Sequence, residues 1–212
     1  DFKMPFWCQT RFEDIDEDKL KWLQDVGLYR MSFGLEHGNE EFRKKKLFRN
    51  ISNEKIVEKA KILGDFQVPY SMNIIIGMPY ETRDLIFDTI DLAKKVKTFD
   101  SLAVNIFAPY RGTVLRQNAI DEGWLDPELQ ATSFIEKSIL RMPEPYLQPD
   151  EMLGLQRVFP LYVTMDESLY PDIKRAEVFD EEGNQIFDKL SEKYYIDKYG
   201  TSEAERMLTY AG

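Results

Sequence analysis

The stretch Tyr70-Ser-Met-Asn-Ile-Ile-Ile-Gly-Met-Pro-Tyr-Glu-Thr82 constrains this chain more than any other. Met72 to Ile76 is an apolar run rich in β-branched residues, the pattern of a parallel strand covered on both faces by helices, with Asn73 as its one polar member. Gly77 and Pro79 stop the strand. Thr82 then caps an amphipathic segment, Arg83 to Lys97, which carries Leu85, Ile86, Thr89, Ile90, Ala93 and Val96 on one face. The unit reads strand, loop, helix. In parallel α/β folds ligands sit at the carboxyl ends of strands, so the Gly77-Met78-Pro79-Tyr80-Glu81 turn is where chemistry is expected.

The same grammar recurs on both sides. Met4 to Thr10 reads as a short strand ending in the polar trio Gln9, Thr10 and Arg11. Asp16 can cap a helix that carries Leu20, Leu23 and Val26 at helical spacing and stops at Gly27. Leu28 to Leu35 is a second strand, followed at once by Glu36-His37-Gly38-Asn39. A short helix from Glu40 to Leu47 comes next, and then a longer one, capped by Ser52 or Asn53, runs to Gly64. Ser101 to Phe107 repeats the apolar run with Asn105 inside it and ends in Pro109-Tyr110-Arg111-Gly112-Thr113. Each interval between strand starts is long enough for a helical crossover. The expected fold is therefore α/β: about four parallel strands in right-handed order, a partial TIM-type barrel, since four strands do not close one.

Beyond Gly123 the pattern changes. Met142-Pro-Glu-Pro-Tyr-Leu-Gln-Pro149 reads as a linker, after which Asp150 caps a helix that Pro160 should kink or split. A turn is expected at Glu182-Gly183-Asn184, then helix from Gln185 to about Lys198. No chemistry is legible there. The division expected is residues 1–125 as partial barrel and 126–212 as a mainly helical carboxyl-terminal extension.

Charge and cysteine usage narrow the function classes. A net charge of -10 and a pI near 4.8 argue against a nucleic-acid footprint and favour a small molecule, lipid or peptide over RNA. Arg43-Lys44-Lys45-Lys46 is the one basic run and reads as a solvated helix face. The single Cys8 allows neither an internal disulfide nor a multi-cysteine metal site within the chain, which favours a reducing, cytoplasmic compartment. No apolar run approaches the roughly 20 residues of a membrane span.

Four motifs in order give the chain a family resemblance. Ser32-Phe-Gly-Leu-Glu-His-Gly-Asn-Glu-Glu-Phe42, Leu47-Phe-Arg-Asn-Ile51, Asn73-Ile-Ile-Ile-Gly-Met-Pro-Tyr-Glu-Thr82 and Phe107-Ala-Pro-Tyr-Arg-Gly-Thr113 together resemble the radical S-adenosylmethionine (SAM) superfamily, in particular its class with an amino-terminal cobalamin-binding domain. The likeness covers about Met4 to Leu125, and more loosely Leu140 to Glu177. It implies strands three to six of a six-stranded core and reductive cleavage of SAM to a 5′-deoxyadenosyl radical. The implied cofactors are SAM, a [4Fe-4S] cluster and, in this class, cobalamin. The implied partners are a small-molecule substrate and a reductant such as flavodoxin or ferredoxin. The family holds its cluster in a CxxxCxxC loop after the first strand, and this sequence has no such loop. The resemblance thus implies a carboxyl-terminal fragment, inactive alone, with an unpaired edge at its first strand.

Residue by residue, the resemblance places Glu36 against the ribose or the methionine part of the cofactor; a salt bridge to Arg30 or Arg49 is the alternative. Arg49 matches an arginine that holds the methionine carboxylate, and otherwise reads as a surface arginine. Asn73 matches a polar ribose ligand, or makes a structural bond to a neighbouring strand, while the backbone around Ile75 would lie along the adenine. Gln9 and Arg11 end a strand that faces the cofactor in relatives. His37 could serve as a base but reads as loop polarity, and Glu81 as an acid in a helix first turn. Two rival readings stay open: a non-redox module that binds a nucleotide-like ligand, and an unrelated phosphate-binding α/β protein, for which a glycine-rich phosphate loop is missing.

Overall fold

A computed structural model describes residues 4–130 and 137–202. Four strands form one parallel sheet in the order β1-β2-β3-β4: β1 is Phe6–Thr10, β2 Leu28–Glu36, β3 Tyr70–Ile76 and β4 Ser101–Ile106. The crossovers carry α1 (Glu17–Asp25), then α2 (Glu40–Lys46) and α3 (Asn53–Asp65), then α4 (Arg83–Lys95); α5 (Val114–Asp121) follows β4. The α/β partial barrel expected from the sequence is the fold observed.

Local chemistry sets the boundaries. Asp16, Asn39, Ser52, Thr82 and Thr113 each accept a backbone N–H from the first turn of the following helix, filling donors that the helix cannot satisfy itself. Gly27, at φ 111, ends the α1 segment where a Cβ would sit 2.6 Å from the Met4 carbonyl oxygen.

The two faces of the sheet are buried unequally along β3. Burial alternates along β3: Tyr70, Met72, Ile74 and Ile76 are fully buried, and Ser71, Asn73 and Ile75 only half buried. The half-buried face carries Ile75, which lines the candidate site. On the packed side Phe12 stacks on Phe33 at 4.7 Å, and the Tyr70 ring meets both edge-on at 6.3 and 5.5 Å. The outer edge of β1 has no strand partner among the described residues, and Trp7 on that strand is 57% exposed.

The chain divides into two compact units, residues 1–149 and 150–212. The second contains most of α6 (Pro149–Thr164), with α7 (Tyr170–Arg175) and α8 (Glu181–Tyr199). Here the structure corrects three expectations. Asp150 lies inside the first turn of α6, behind Pro149, instead of capping it. Pro160 does not split α6, which continues to Thr164, whose hydroxyl donates to the Pro160 carbonyl at 2.7 Å. The expected turn at Glu182-Gly183-Asn184 is the first turn of α8, capped by Asp180. Gly183 is needed there for close approach: a Cβ would lie 2.1 Å from the Val178 carbonyl oxygen. No helix among the described residues is long and apolar enough to cross a membrane.

Candidate functional site

The carboxyl ends of β2, β3 and β4 border one cavity of about 380 Å³. Its lining comes from Glu36, the last residue of β2, from Ile75 and Met78 around the end of β3, from Phe107 beyond β4, from Lys46 at the end of α2 and Leu47 to Arg49 after it, and from Thr113, Val114 and Leu115 at the start of α5. Three sequence candidates, Glu36, Arg49 and Ile75, therefore share one cavity. Most of the remaining wall is aliphatic or aromatic, the usual ground of a small-molecule site.

Glu36 reaches its position through a distorted strand end. The β2–β3 register shifts between Gly34 and Glu36, and Glu36 takes a left-handed φ of 64. Its side chain folds back over Gly34, where any Cβ would stand 2.1 Å from Glu36 Oε1. Burial pushes the carboxyl above the usual carboxylate range, and the guanidinium groups of Arg49 and Arg11 oppose that shift. Arg49 Nη1 is 3.8 Å from Glu36 Oε1.

The rest of the Arg49 fork is engaged. It donates to both Glu13 oxygens, at 2.8 and 3.1 Å from Nη2, and to the Gly34 carbonyl at 3.0 Å. A ligand carboxylate at Arg49 would compete with Glu13. Asn73 donates to Ser32 Oγ at 2.8 Å and does not line the cavity. Gln9 and Arg11 are exposed and line no part of it either, although Arg11 acts on Glu36 through its charge.

Four features escaped sequence reading. His37 is fully buried, not loop polarity: its Nδ1 accepts the Asn39 N–H at 3.0 Å, which places the ring proton on Nε2, 3.1 Å from Glu81 Oε1. Glu81 is fully buried as well, and its Oε2 accepts the backbone N–H groups of Gly77 and Met78. The pair ties the turn after β2 to the turn after β3. Arg43, read as part of a solvated face, is buried and donates to the carbonyls of His37 and Ile51, each at 2.6 Å, and to Asn53 Oδ1 at 2.9 Å. Lys46, the last of that basic run, lies with Nζ 3.5 Å from the centroid of the Tyr80 ring and lines the cavity. Phe48, one residue from the quoted Arg49, is 73% exposed at the cavity with φ 54. The Leu47-to-Ile51 and Phe107-to-Thr113 motifs marked these wall segments without singling out the residues that face inward.

Backbone strain gathers at the same place. Among the described residues, four other than glycine have positive φ: Glu36, Phe48, Gln67 and Tyr80. Glu36 and Phe48 line the cavity, and Tyr80 carries Lys46. Left-handed glutamate, phenylalanine and tyrosine each cost on the order of 1–3 kcal/mol, and such residues concentrate at functional sites.

Residues 4–93 match the model of the Radical SAM superfamily. An uncharacterized protein of Methanocaldococcus jannaschii is 31% identical over 91 residues, which are 41% of this chain and 25% of that protein. Among solved structures, the radical S-adenosylmethionine methyltransferase TsrM from Kitasatospora setae, determined with cobalamin and a [4Fe-4S] cluster bound, matches with a TM-score of 0.50. That match covers 88% of this chain and 44% of TsrM at 14% identity, so it shows a shared fold. The chain spans a quarter of the length of the curated relative and less than half of TsrM.

Proposed function

We propose that this chain, whose residues 4–93 match the Radical SAM superfamily model, is part of an enzyme that reductively cleaves SAM, with the cavity at the strand ends as the SAM-binding part of its reaction chamber. The observation that carries this reading is the meeting of Glu36, Arg49 and Ile75 in one cavity of about 380 Å³, at the rim where parallel strands present ligands. When bound, SAM would supply radical chemistry at a substrate C–H bond.

The chain's own residues hold and orient. The Glu36 carboxylate can accept hydrogen bonds from ribose hydroxyls or the methionine amino group. Ile75 and Met78 offer an apolar wall to a purine. Arg49 can take the methionine carboxylate by exchanging it for Glu13. Asn73, Gln9 and Arg11 act from outside the cavity in this reading: Asn73 fixes the β2–β3 pair through Ser32, and Arg11 counters burial of Glu36.

An iron–sulfur cluster does not fit the residues present. The chain has one cysteine, and the described residues contain no group of three or more His, Cys, Asp or Glu side chains able to hold a metal. Cobalamin-dependent methyl transfer, a flavodoxin or ferredoxin as electron donor and a cytoplasmic setting complete the proposal, the first by fold analogy with TsrM.

The test is titration with S-adenosylhomocysteine, which keeps the nucleoside and the carboxylate but cannot form the radical. Binding should shift the methyl resonances of Ile75 and Met78, and Arg49→Ala should weaken it about 10- to 100-fold, the range for a charged hydrogen bond. Absence of binding would overturn the reading. Binding that Arg49→Ala leaves unchanged would remove Arg49 from the site.

A further inference from the structure

The cavity wall has a composition more specific than its fold. Leu47, Phe48, Ile75, Met78, Phe107 and Leu115 make it predominantly apolar, and three charged side chains stand in it: Glu36, Arg49 and Lys46. Two of the three are already matched. Arg49 donates to both oxygens of Glu13 and faces Glu36. Lys46 is different. Among the described residues it has no ion-pair partner, and its contact is with the face of Tyr80, 3.5 Å from ring centroid to Nζ.

That seat is built. Tyr80 adopts a left-handed φ of 72; its ring is braced by Trp124 at 4.9 Å and Tyr146 at 6.1 Å, and its hydroxyl donates to Glu122 at 3.1 Å. A π face attracts an ammonium without neutralising it, so the charge stays available at the cavity wall. A merely solvated lysine would need none of this. Beside it, Phe48 holds a strained backbone and leaves 73% of itself exposed, an apolar surface that a ligand would cover.

We propose that the substrate of this cavity is an amphipathic anion: a small molecule with an apolar body, seated against Phe48, Phe107 and Leu115, and one carboxylate or phosphate received by Lys46 on its Tyr80 seat. The proposal rests on reading the cavity as a reaction chamber and adds the class of substrate to it. The strained Tyr80 turn holds the cation at the wall, and the anion it selects fixes which end of the apolar body points inward.

The experiment uses the whole chain, labelled at its methyl groups, titrated separately with octanoate, octyl phosphate, 1-octanol and octylamine. One of the two anions should shift the methyl resonances of Leu47, Ile75, Val114 and Leu115, and bind at least about tenfold more tightly than octanol, the low end for a charge-assisted hydrogen bond. Octylamine should leave these methyls in place. The tighter anion identifies the head group as carboxylate or phosphate. Lys46→Gln should lower anion binding to the octanol level without changing octanol binding, and Lys46→Arg should retain the preference. Equal binding of octanol and both anions, or shifts confined to methyls near Val26 and the β1 edge, would overturn the proposal, as would an anion preference that survives Lys46→Gln. S-Adenosylhomocysteine in a parallel titration separates the two ideas. If it fails while octanoate binds, the SAM reading falls and the anion site stands; if it binds while both anions fail, the anion site falls alone.

Discussion

Replacing Glu81 by glutamine preserves shape and removes charge, and the donors around Glu81 make the outcome calculable. Two donors converge on this fully buried carboxylate, the N–H groups of Gly77 and Met78 on Oε2, while His37 Nε2 stands 3.1 Å from Oε1 without hydrogen-bond geometry. A glutamine must aim its NH₂ at one of those two positions. In one orientation it meets two backbone N–H groups, and in the other the imidazole proton. Shifting the imidazole tautomer does not help, because Nδ1 would then point a proton at the Asn39 N–H it now accepts. Every arrangement buries at least one donor without an acceptor, at about 1–3 kcal/mol, and weakens the remaining bonds by removing their charge assistance, about 1 kcal/mol more. Glu81→Gln should therefore destabilise by roughly 2–4 kcal/mol. His37→Phe, which keeps the stack on Phe42 at 4.1 Å, removes the conflicting donor. The double variant should recover about 1–2 kcal/mol relative to the sum of the singles. All three tryptophans, Trp7, Trp22 and Trp124, lie in residues 1–149, so urea unfolding followed by tryptophan fluorescence reports on the unit that contains the pair. Amide exchange at Gly77 and Met78 should accelerate in parallel. A loss below about 0.5 kcal/mol, or strict additivity in the double variant, would refute the reasoning.

Three other perturbations test the packing and the titrations. Gly38→Ala places a Cβ 2.3 Å from the Asp88 carbonyl oxygen and 2.4 Å from Thr89 Cα, both backbone of α4, so α4 must withdraw; a loss of about 3 kcal/mol in unfolding free energy, read as a lower urea midpoint, is expected, together with loss of the Gly38 N–H bond to Thr89 Oγ1. Because burial raises the Glu36 carboxyl, the folded state holds its proton more tightly than the unfolded chain; stability should fall as pH rises above the ordinary carboxylate range. Glu36→Gln should flatten that slope in unfolding curves taken from acidic to neutral pH. Burial likewise pushes the Tyr70 phenol up to about 12, so its contribution is intact below the ordinary tyrosine range and is lost as pH rises toward that value. Tyr70→Phe should lose about 1 kcal/mol at neutral pH, from the hydroxyl contacts to Thr98 and Val96, and should remove the alkaline slope and one late step of the tyrosinate absorbance titration.

The site was partly legible for a geometric reason. Strand ends in a parallel sheet converge on one rim, so residues at the ends of the apolar runs, Glu36 and Ile75, were identifiable as neighbours before any coordinates, and the loop arginine Arg49 came with its motif. Asn73 shares a face with Ile75 but sits two residues earlier, about 6–7 Å down the strand, where Ser32 takes its amide. Gln9 lies within the edge strand β1 and Arg11 just after it, and this strand is the one farthest from β4 and Phe107. Lys46 was hidden inside a basic run whose average reading is solvent. Only the direction of each side chain separates buried Arg43, exposed Lys44 and Lys45, and Lys46 on its aromatic seat.

Where one physical signal is local, the sequence determined the result. Apolar runs set the strands, Asp16, Ser52 and Thr82 set helix starts, and crossover lengths required a parallel sheet. The tertiary structure alone decided the rest: that β3 is buried more deeply on one face than on the other, that Pro160 remains inside α6, that Gly183 serves close approach rather than a turn, and that His37 and Glu81 become one buried pair. Each of those outcomes depends on which distant group a residue meets. Hydrogen-bond partners and excluded volume are properties of three-dimensional neighbours, and no periodicity along the chain encodes them.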